Sequence, residues 1–387
     1  MAPTPSVLLY ASALLATPSP PAVQERAAAR SEWRQFRGDA AQRGVAPGSL
    51  GDDFEVRWTY EAGGAIASSP VVADGLVYFG SDDQKVHAVE LASGALRWSH
   101  TTEDIVEAPP VVHEGAVYVG SYDCFLYALD AGSGELRWRF ETGDKIVGAA
   151  VPVRGPEGTT RIVTGSYDTS LYGIDPETGA RTWVYTTDNH VNGTPAIDEE
   201  GRIVFGGCDA VLHVVSAHTG EALGRLELGE ACHIAGSVAL DGGRAYFGHY
   251  GNAFVCVDLD EETVVWELTD PDQAFFSSPA VTDDVVVFGG RDRELHCCDK
   301  RTGEELWSFR TRRKVDGSPV VCGDRVVFGG GDGWLYVLDL ATGEPVWSWE
   351  IGRSILGSPA VVDGEILIGA NDGRLYCFAP KAPESDR

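Results

Sequence analysis

The chain has 387 residues, of which 43% are hydrophobic, and it carries a formal net charge of −28. This composition is typical of a packed globular protein and excludes disorder over most of the length. The negative charge repels nucleic acids and anionic membrane surfaces, so neither is an expected partner. No run reaches the ~18 apolar residues of a membrane span.

The first segment, residues 1–30, is predicted to lie outside the folded domain. It holds an apolar run at residues 7–16, followed by a proline-rich stretch. That length suits a signal-peptide core, which would export the protein to the periplasm or the cell exterior, although residues 1–6 carry no Lys or Arg. A flexible tail of a cytoplasmic protein explains the segment as well, and export is the preferred alternative. Residues 381–387 are predicted to form a flexible C-terminal tail.

One sequence repeat recurs along the rest of the chain. Two of its copies read SSPVVADGLVYFGSDDQKVHAVELASGALRW (68–98) and GSPVVCGDRVVFGGGDGWLYVLDLATGEPVW (317–347). Its proline position recurs every 40 to 44 residues, at Pro70, Pro110, Val151, Pro195, Val238, Pro279, Pro319 and Pro359. Each copy holds four short strands with period-2 alternation, which is the pattern of a propeller blade. The sequence therefore predicts an all-β fold over residues 31–380, an eight-bladed β-propeller of four-stranded antiparallel blades.

A tryptophan ends most copies and is expected to dock one blade on the next. The positions are Trp98, Trp138, Trp183, Trp266, Trp307 and Trp347. An indole that buries ~150–250 Å² contributes roughly 4–6 kcal/mol before entropy losses. In the copy that ends GEALGRLELG (220–229), Gly224 stands in this position. We therefore expect that blade joint to be the weakest.

The two ends of the repeat region are complementary. After Pro359 the chain has only three strands, whereas the segment FEVRWTYEAG (54–63) supplies a spare strand with its own docking tryptophan, Trp58. The N-terminal strand is therefore predicted to complete the last blade and close the ring, which removes a free sheet edge. Arg30 to Asp53 are predicted to form a leader clamped on the ring.

The copies ALDAGSGELRW (128–138), CCDKRTGEELW (297–307) and VLDLATGEPVW (337–347), with the leader WRQFRGDAAQRG (33–44), resemble the pyrroloquinoline-quinone (PQQ)-like repeat family of β-propellers. The resemblance implies one of two functions. The first is a non-enzymatic scaffold in the style of BamB-like propellers, and the short blades without insertions favour it. The alternative is a dehydrogenase that oxidises an alcohol or sugar with PQQ and Ca²⁺. No cofactor is assigned on the preferred interpretation.

We label the four strands of each blade A to D in chain order. The D–A loops, which join one blade to the next, and the B–C loops, in the middle of each blade, emerge on one face and vary between copies. Loops that differ between the copies of a repeat are the positions where functional residues can be accommodated. The candidate ligand- or partner-binding residues are Glu107, Lys145, His190, Asn192, His233, Phe275, Phe276, Arg291, Arg313, Lys314 and Arg353. A mixed polar and aromatic rim suits a protein segment or a small polar ligand, and an ordinary solvated rim is the alternative. The protein is expected to be monomeric.

One part of this rim is predicted to be positive. Its residues are Arg291, Arg293, Arg312, Arg313, Lys314 and Arg353. An anionic ligand would suit it, and pairing with Asp292, Asp316 and Asp332 is the alternative. An Asp recurs in the B–C turns, but one carboxylate per blade cannot converge on one ion, so capping of the turns is expected and no metal site is predicted. Cys297 and Cys298 adjoin within a strand, and neighbouring strand side chains point to opposite faces, which disfavours a disulfide.

Overall fold

The computed structural model describes residues 32–155, 158–229 and 232–381. Within these ranges the chain forms 33 β-strands in eight sheets and no α-helix. No helix in the described part of the chain is therefore long and apolar enough to cross a membrane. The predictions for residues 1–30 and for the end of the chain beyond Lys381 lie outside the described residues.

The leader contributes β1 (Val45–Ala46), and β2 (Phe54–Glu61) follows it. The first four blades then follow in chain order. Blade 1 comprises β3 (Val71–Ala73), β4 (Leu76–Ser81), β5 (Lys85–Glu90) and β6 (Leu96–Thr101); blade 2 comprises β7 (Val111–His113), β8 (Ala116–Gly120), β9 (Phe125–Asp130) and β10 (Leu136–Glu141); blade 3 comprises β11 (Val151–Arg154), β12 (Thr160–Gly165), β13 (Ser170–Ile174) and β14 (Arg181–Thr186); blade 4 comprises β15 (Ala196–Ile197), β16 (Arg202–Gly206), β17 (Val211–Ser216) and β18 (Ala222–Glu227).

The second half repeats the arrangement. Blade 5 comprises β19 (Ala239–Asp241), β20 (Arg244–His249), β21 (Ala253–Asp258) and β22 (Thr263–Thr269); blade 6 comprises β23 (Ala280–Val281), β24 (Val285–Gly289), β25 (Glu294–Asp299) and β26 (Glu305–Arg310); blade 7 comprises β27 (Val320–Cys322), β28 (Arg325–Gly329), β29 (Trp334–Asp339) and β30 (Pro345–Glu350); blade 8 comprises β31 (Ala360–Val362), β32 (Glu365–Gly369) and β33 (Arg374–Pro380). In blades 1 to 7 the four strands, A to D, form an antiparallel meander in chain order, and in blade 8 strands A to C are β31 to β33. The predicted eight-bladed propeller is confirmed.

The ring closes through β2, which is the fourth strand of blade 8. It pairs antiparallel with β33, and Trp58 lies opposite Cys377. The hydrophobic core at this joint combines Phe54 and Trp58 from the start of the chain with Phe378 from its end. The prediction that an N-terminal strand completes the last blade is therefore confirmed.

Six of the seven docking tryptophans contact the next blade in the same way. In the Trp98 joint, the indole Nε1 donates a hydrogen bond to the Ala131 carbonyl at 2.9 Å, and the ring covers Gly134, whose φ is +75°. A Cβ on that glycine would lie 2.6 Å from the indole. Equivalent indole hydrogen bonds of 2.9–3.2 Å are made by Trp58, Trp138, Trp183, Trp266 and Trp307. Trp347 packs against Phe54 and Phe378.

The joint between blades 4 and 5 lacks this contact. Gly224 occupies the tryptophan position, and Glu262 occupies the position of the covered glycine, with φ of +51°. A Cβ on Gly224 would lie 2.7 Å from the Glu262 carboxylate. A side chain from blade 5 therefore partly fills the space that an indole fills elsewhere, and a small hollow remains beside Val214 and Leu226.

The leader crosses the innermost strands of six blades. Its carbonyl groups accept hydrogen bonds of 2.8–3.0 Å from backbone N–H groups of the A strands. The pairs, with the leader carbonyl named first, are Trp33–Val72, Arg34–Val112, Ala40–Ile197, Ala41–Leu240, Arg43–Val281 and Gly44–Val321. Two side chains of this segment, Arg37 and Gln42, are fully buried. Arg37 donates to the Pro279 carbonyl at 2.8 Å, and burial lowers the pKa of its guanidinium to about 9. The leader therefore joins the blades across the middle of the ring.

Candidate functional site

The candidate binding residues lie on the face opposite the leader. The leader pairs with the A strands beside the turns that lead into the B strands; Val72, for example, precedes the turn at Asp74. The D–A and B–C loops emerge from the other ends of these strands, and we call their face the rim face. The fold therefore leaves one face crossed by the leader and the other built from loops that differ between blades.

On blades 2 to 4 the rim side chains form one connected arc. The Tyr122 hydroxyl donates to the Glu107 carboxylate at 2.5 Å. The Lys145 ammonium lies 4.3 Å from the Tyr122 ring centroid and 4.6 Å from that of Tyr167. The His190 ring stacks on Tyr167 with centroids 4.8 Å apart. Burial, and then the bond to Glu107, raise the pKa of Tyr122, so its hydroxyl stays protonated and remains a donor.

A second arc runs over blades 5 and 6. His233 and Tyr250 have ring centroids 6.0 Å apart, and Tyr250 lies 4.2 Å from Phe276. The guanidinium carbon of Arg291 sits 3.6 Å above the Phe276 ring. Cation–π contacts of this kind hold a charged group against an aromatic surface. Arg291 is thereby fixed on the rim rather than extended into solvent.

The predicted positive patch is partly neutralised. Asp316 pairs with Arg291 at 3.3 Å and with Lys314 at 2.5 Å. Arg313 and Arg353, by contrast, have no ion pair with any residue in the described ranges. Both line a cleft of about 760 Å³, together with Asp332, Asp372, Ser354 and Asn371. Arg293 and Arg312 are exposed and likewise have no ion pair with a described residue, so the positive charge that stays available on the rim face is spread over blades 6 to 8.

Two of the predicted rim residues are not fully exposed. Phe275 is only 1% exposed and packs against Phe288, so its side chain belongs to the core. The reason is structural, because Phe275 takes the repeat position that Val106 or Ile146 fills in other blades, against the glycine that ends strand B. Asn192 is partly buried and donates from Nδ2 to the Cys208 sulfur at 3.0 Å.

The aspartates of the B–C turns hold the blades together. Asp123 is representative: its carboxylate accepts the backbone N–H of Phe125 at 3.1 Å and of Glu103 at 2.8 Å, and the Tyr127 hydroxyl at 2.7 Å. In six other blades the turn aspartate makes a hydrogen bond with the His or Tyr side chain four residues later in the sequence. These aspartates are Asp83, Asp168, Asp209, Asp292, Asp332 and Asp372. These carboxylates are engaged by groups of their own blade and, for Asp123, also by the segment that follows the preceding blade.

Among the described residues, the acidic, His and Cys side chains form one group that could hold the metal ion of the alternative interpretation. Ca²⁺ needs six to eight oxygen ligands. The sole described cluster of three or more acidic, His or Cys side chains close enough to share an ion is Asp292, Glu294 and His296. This trio lines a cleft between blades 5 and 6, beside the outer strand of blade 5. Cys297 and Cys298 are free thiols whose side chains enter different core clusters.

This trio and its partner Glu305 were not predicted from the sequence. The His296 ring places Nε2 at 2.8 Å from Asp292 and Nδ1 at 2.6 Å from Glu305. Asp292, Glu294 and His296 alternate along the chain, a spacing that puts strand side chains on one face. That Asp-x-Glu-x-His pattern was the available signal, whereas the approach of Glu305 depends on the pairing of β25 with β26.

Known proteins place this propeller in a family. Among solved structures, BamB from Moraxella catarrhalis is 19% identical with a TM-score of 0.71, and the match covers 86% of this chain and 99% of that one. A europium-containing methanol dehydrogenase is 13% identical (TM-score 0.75; 90% and 98% covered). The quinohemoprotein alcohol dehydrogenase ADHIIG from Pseudomonas putida HK5 is 15% identical (TM-score 0.77; 92% and 82% covered). At these identities the likeness concerns the fold alone.

No curated protein matches the chain. A family model described as outer membrane protein assembly factor BamB matches residues 48–210 and 208–384, nearly the whole propeller. The chain therefore belongs to the BamB family of PQQ-like β-propellers.

Proposed function

We propose that this protein is a non-enzymatic scaffold whose rim face binds an acidic segment of a partner protein. The observation that carries the proposal is the cleft between blades 7 and 8, where Arg313 and Arg353 have no ion-pair partner among the described residues. Asp332 and Asp372 line the same cleft, but they accept hydrogen bonds from Tyr336 and Tyr376 of their own blades. In a chain of net charge −28, the two guanidinium groups therefore form a local binding site for the carboxylates of a partner.

The aromatic side chains of the second arc, on the same rim face, support a protein partner rather than a small anion. Tyr250 is among the exposed large hydrophobic residues, and it packs against Phe276 under Arg291. Tyrosine and arginine are enriched where protein interfaces gain most of their affinity. A partner segment that combines carboxylates with apolar side chains would contact both parts of the rim face.

The test uses a fluorescent synthetic peptide of alternating Glu and Phe residues, whose binding is followed by polarisation. We expect the double variant Arg313→Ala/Arg353→Ala to weaken binding at least tenfold, and added salt to weaken binding to the native protein. The matched control is Arg301→Ala, an exposed arginine in a C–D turn on the opposite face. Equal binding by the native protein and the double variant would reject the assigned site.

The dehydrogenase alternative predicts a different result. Titration with PQQ and Ca²⁺ would then give tight binding and dye-linked oxidation of an alcohol or sugar, because the quinone accepts a hydride from such substrates. The carboxylates of the described B–C turns are already engaged within their blades, as the bonds of Asp123 illustrate. We therefore expect no tight PQQ binding, and cofactor-dependent oxidation would overturn the scaffold proposal.

We also infer that the protein is exported. The apolar run at residues 7–16 and the family description as an outer membrane assembly factor support this location. Cell fractionation with N-terminal sequencing is the test. A processed N-terminus in the exported fraction is expected, and an intact N-terminus in the cytoplasm would contradict export.

A further inference from the structure

We propose that the Asp292–Glu294–His296 cluster of blade 6 binds a divalent transition-metal ion, with zinc as the best-fitting probe. One ligand atom from each side chain lies within 4.8 Å of the other two. The three residues belong to the B–C turn and the start of β25, and they line a cleft of about 530 Å³. An imidazole nitrogen and two carboxylates are ligands that Zn²⁺ accepts, and three protein ligands leave a further position open.

Glu305 supplies the group that orients the histidine. Its Oε1 lies 2.6 Å from Nδ1 of His296 and can accept the proton on that nitrogen. The Nε2 lone pair is then directed to the side where Asp292 lies, at 2.8 Å. A carboxylate on the distal nitrogen of a histidine is the usual support of a metal ligand, because it fixes the tautomer and the ring orientation.

The other blades lack this combination, which argues against a structural repeat feature. Asp and a histidine or tyrosine four positions later recur in seven blades, but the residue between them carries a carboxylate only in blade 6. The equivalents of Glu294 are Lys85, Phe125, Ser170, Val211, Trp334 and Arg374. The position of Glu305, two residues before the docking tryptophan, is likewise acidic only here; its equivalents are Val56, Leu96, Leu136, Arg181, Ala222, Val264 and Pro345. Two separate departures from the repeat thus converge on one histidine.

The neighbouring blade also differs at this point. In blades 1 and 4 the corresponding histidines contact a tyrosine of the preceding blade: Tyr60 lies 3.1 Å from His87, and Tyr185 lies 3.0 Å from His213. Beside His296 the equivalent residue is Leu268, which offers no hydroxyl and lines the cleft. The cleft is therefore open where the other two joints are filled.

One contact opposes metal binding. Arg310 pairs with Glu294 at 2.7 Å, although its side chain is 67% exposed. An exposed ion pair is worth little, so the arginine can be displaced by a divalent ion. An imidazolium between Asp292 and Glu305 would satisfy the same histidine contacts without a metal. A binding measurement distinguishes these two interpretations.

The experiment is isothermal titration of the full-length protein with Zn²⁺. We expect one saturable site, and His296→Gln should weaken it at least tenfold. Glu294→Gln alters a partly exposed ligand, so it should also lower the affinity for Zn²⁺ with little effect on folding. Circular dichroism will verify that the variant is folded. Glu305→Gln should weaken it by about 10–100-fold through the lost support of the histidine. Arg310→Gln should strengthen it, and Ca²⁺ should not compete.

The matched control is His213→Gln in blade 4, where Asp209 and Tyr185 hold the ring but no second carboxylate follows. Its affinity should equal that of the native protein. Absence of saturable binding, unchanged affinity in His296→Gln, or an equal loss in both histidine variants would overturn the proposal. So would a thiolate charge-transfer band on substitution with Co²⁺, since that band would place the metal on a cysteine.

Discussion

The joint between blades 4 and 5 can be rebuilt with the contact that the other joints use. Replacing Gly224 by Trp restores the docking residue, and replacing Glu262 by Gly restores the surface that an indole covers. In the double variant the indole Nε1 should donate to the Leu259 carbonyl, the position that corresponds to Ala131 in the Trp98 joint. The native protein, the two single variants and the double variant form a thermodynamic cycle.

The expected magnitudes follow from the local geometry. An indole that buries ~150–250 Å² contributes roughly 4–6 kcal/mol gross, and ordering of the side chain and a compact unfolded state reduce this to about 2 kcal/mol net. Gly224→Trp alone should be neutral or destabilising by about 1–3 kcal/mol, because the new side chain meets Glu262. Glu262→Gly alone should have little effect, since relief of the left-handed backbone offsets the entropy of glycine.

Thermal and urea unfolding of the four proteins measure the coupling. With an unfolding entropy of about 2.1 cal/mol/K per residue, a gain of about 2 kcal/mol raises Tm by roughly 3 °C for a domain of this size. Trp98→Gly at an intact joint is the reciprocal control and should be destabilising by about 3–5 kcal/mol. An additive cycle, or a double variant no more stable than the native protein, would refute the assignment of this joint as an incomplete docking site.

Three further predictions concern the ring. Deletion of residues 31–61 removes the leader and β2, so Tm should fall sharply, and an unchanged Tm would contradict closure by this segment. Burial lowers the pKa of His249 below 6.5, and its Nδ1 accepts the Gly251 N–H. As the pH falls, the unfolded chain therefore binds the proton first, and the free energy of unfolding should fall as the pH drops through 6.5. Urea titrations at several pH values should show a weaker pH dependence in His249→Gln. The same slope of unfolding free energy against pH in both proteins would refute this assignment. Gly120→Ala should be destabilising by about 1–3 kcal/mol because its Cβ would overlap Ile146. A Cβ on Gly132 would lie 3.5 Å from its nearest neighbour, so Gly132→Ala is the control and should unfold with the native midpoint. An equal loss of stability in the two variants would contradict the packing argument.

The repeat made the architecture predictable because each blade has the same local pattern. The alternation along segments such as 117–140 indicates strands, and the spare strand with Trp58 has only one incomplete blade to join. The path of the leader was not predictable in the same detail. Its bonds to Val112 or Ile197 use backbone carbonyl groups, which every residue possesses, so no side-chain pattern records them.

The rim face was predictable as a surface but not as a set of contacts. Loop positions follow from the blade topology, so the sequence placed Lys145 and Arg291 on one face. Their partners depend on distances between blades, and Asp316 neutralises two of the predicted cations for that reason. Phe275 and Phe276 adjoin in sequence, and only the packing of blade 6 separates the core residue from the rim residue.

The pairing of β2 with β33 sets the order in which the chain can mature during synthesis. The segment Phe54–Glu61 leaves the ribosome before its partner strand, which is made only after all the other strands of the eight blades. Until then the early strand has an unpaired edge that other chains can recognise. A translation product that stops before Arg374 never acquires the partner strand, so all such chains expose the same unpaired strand to chaperones and proteases.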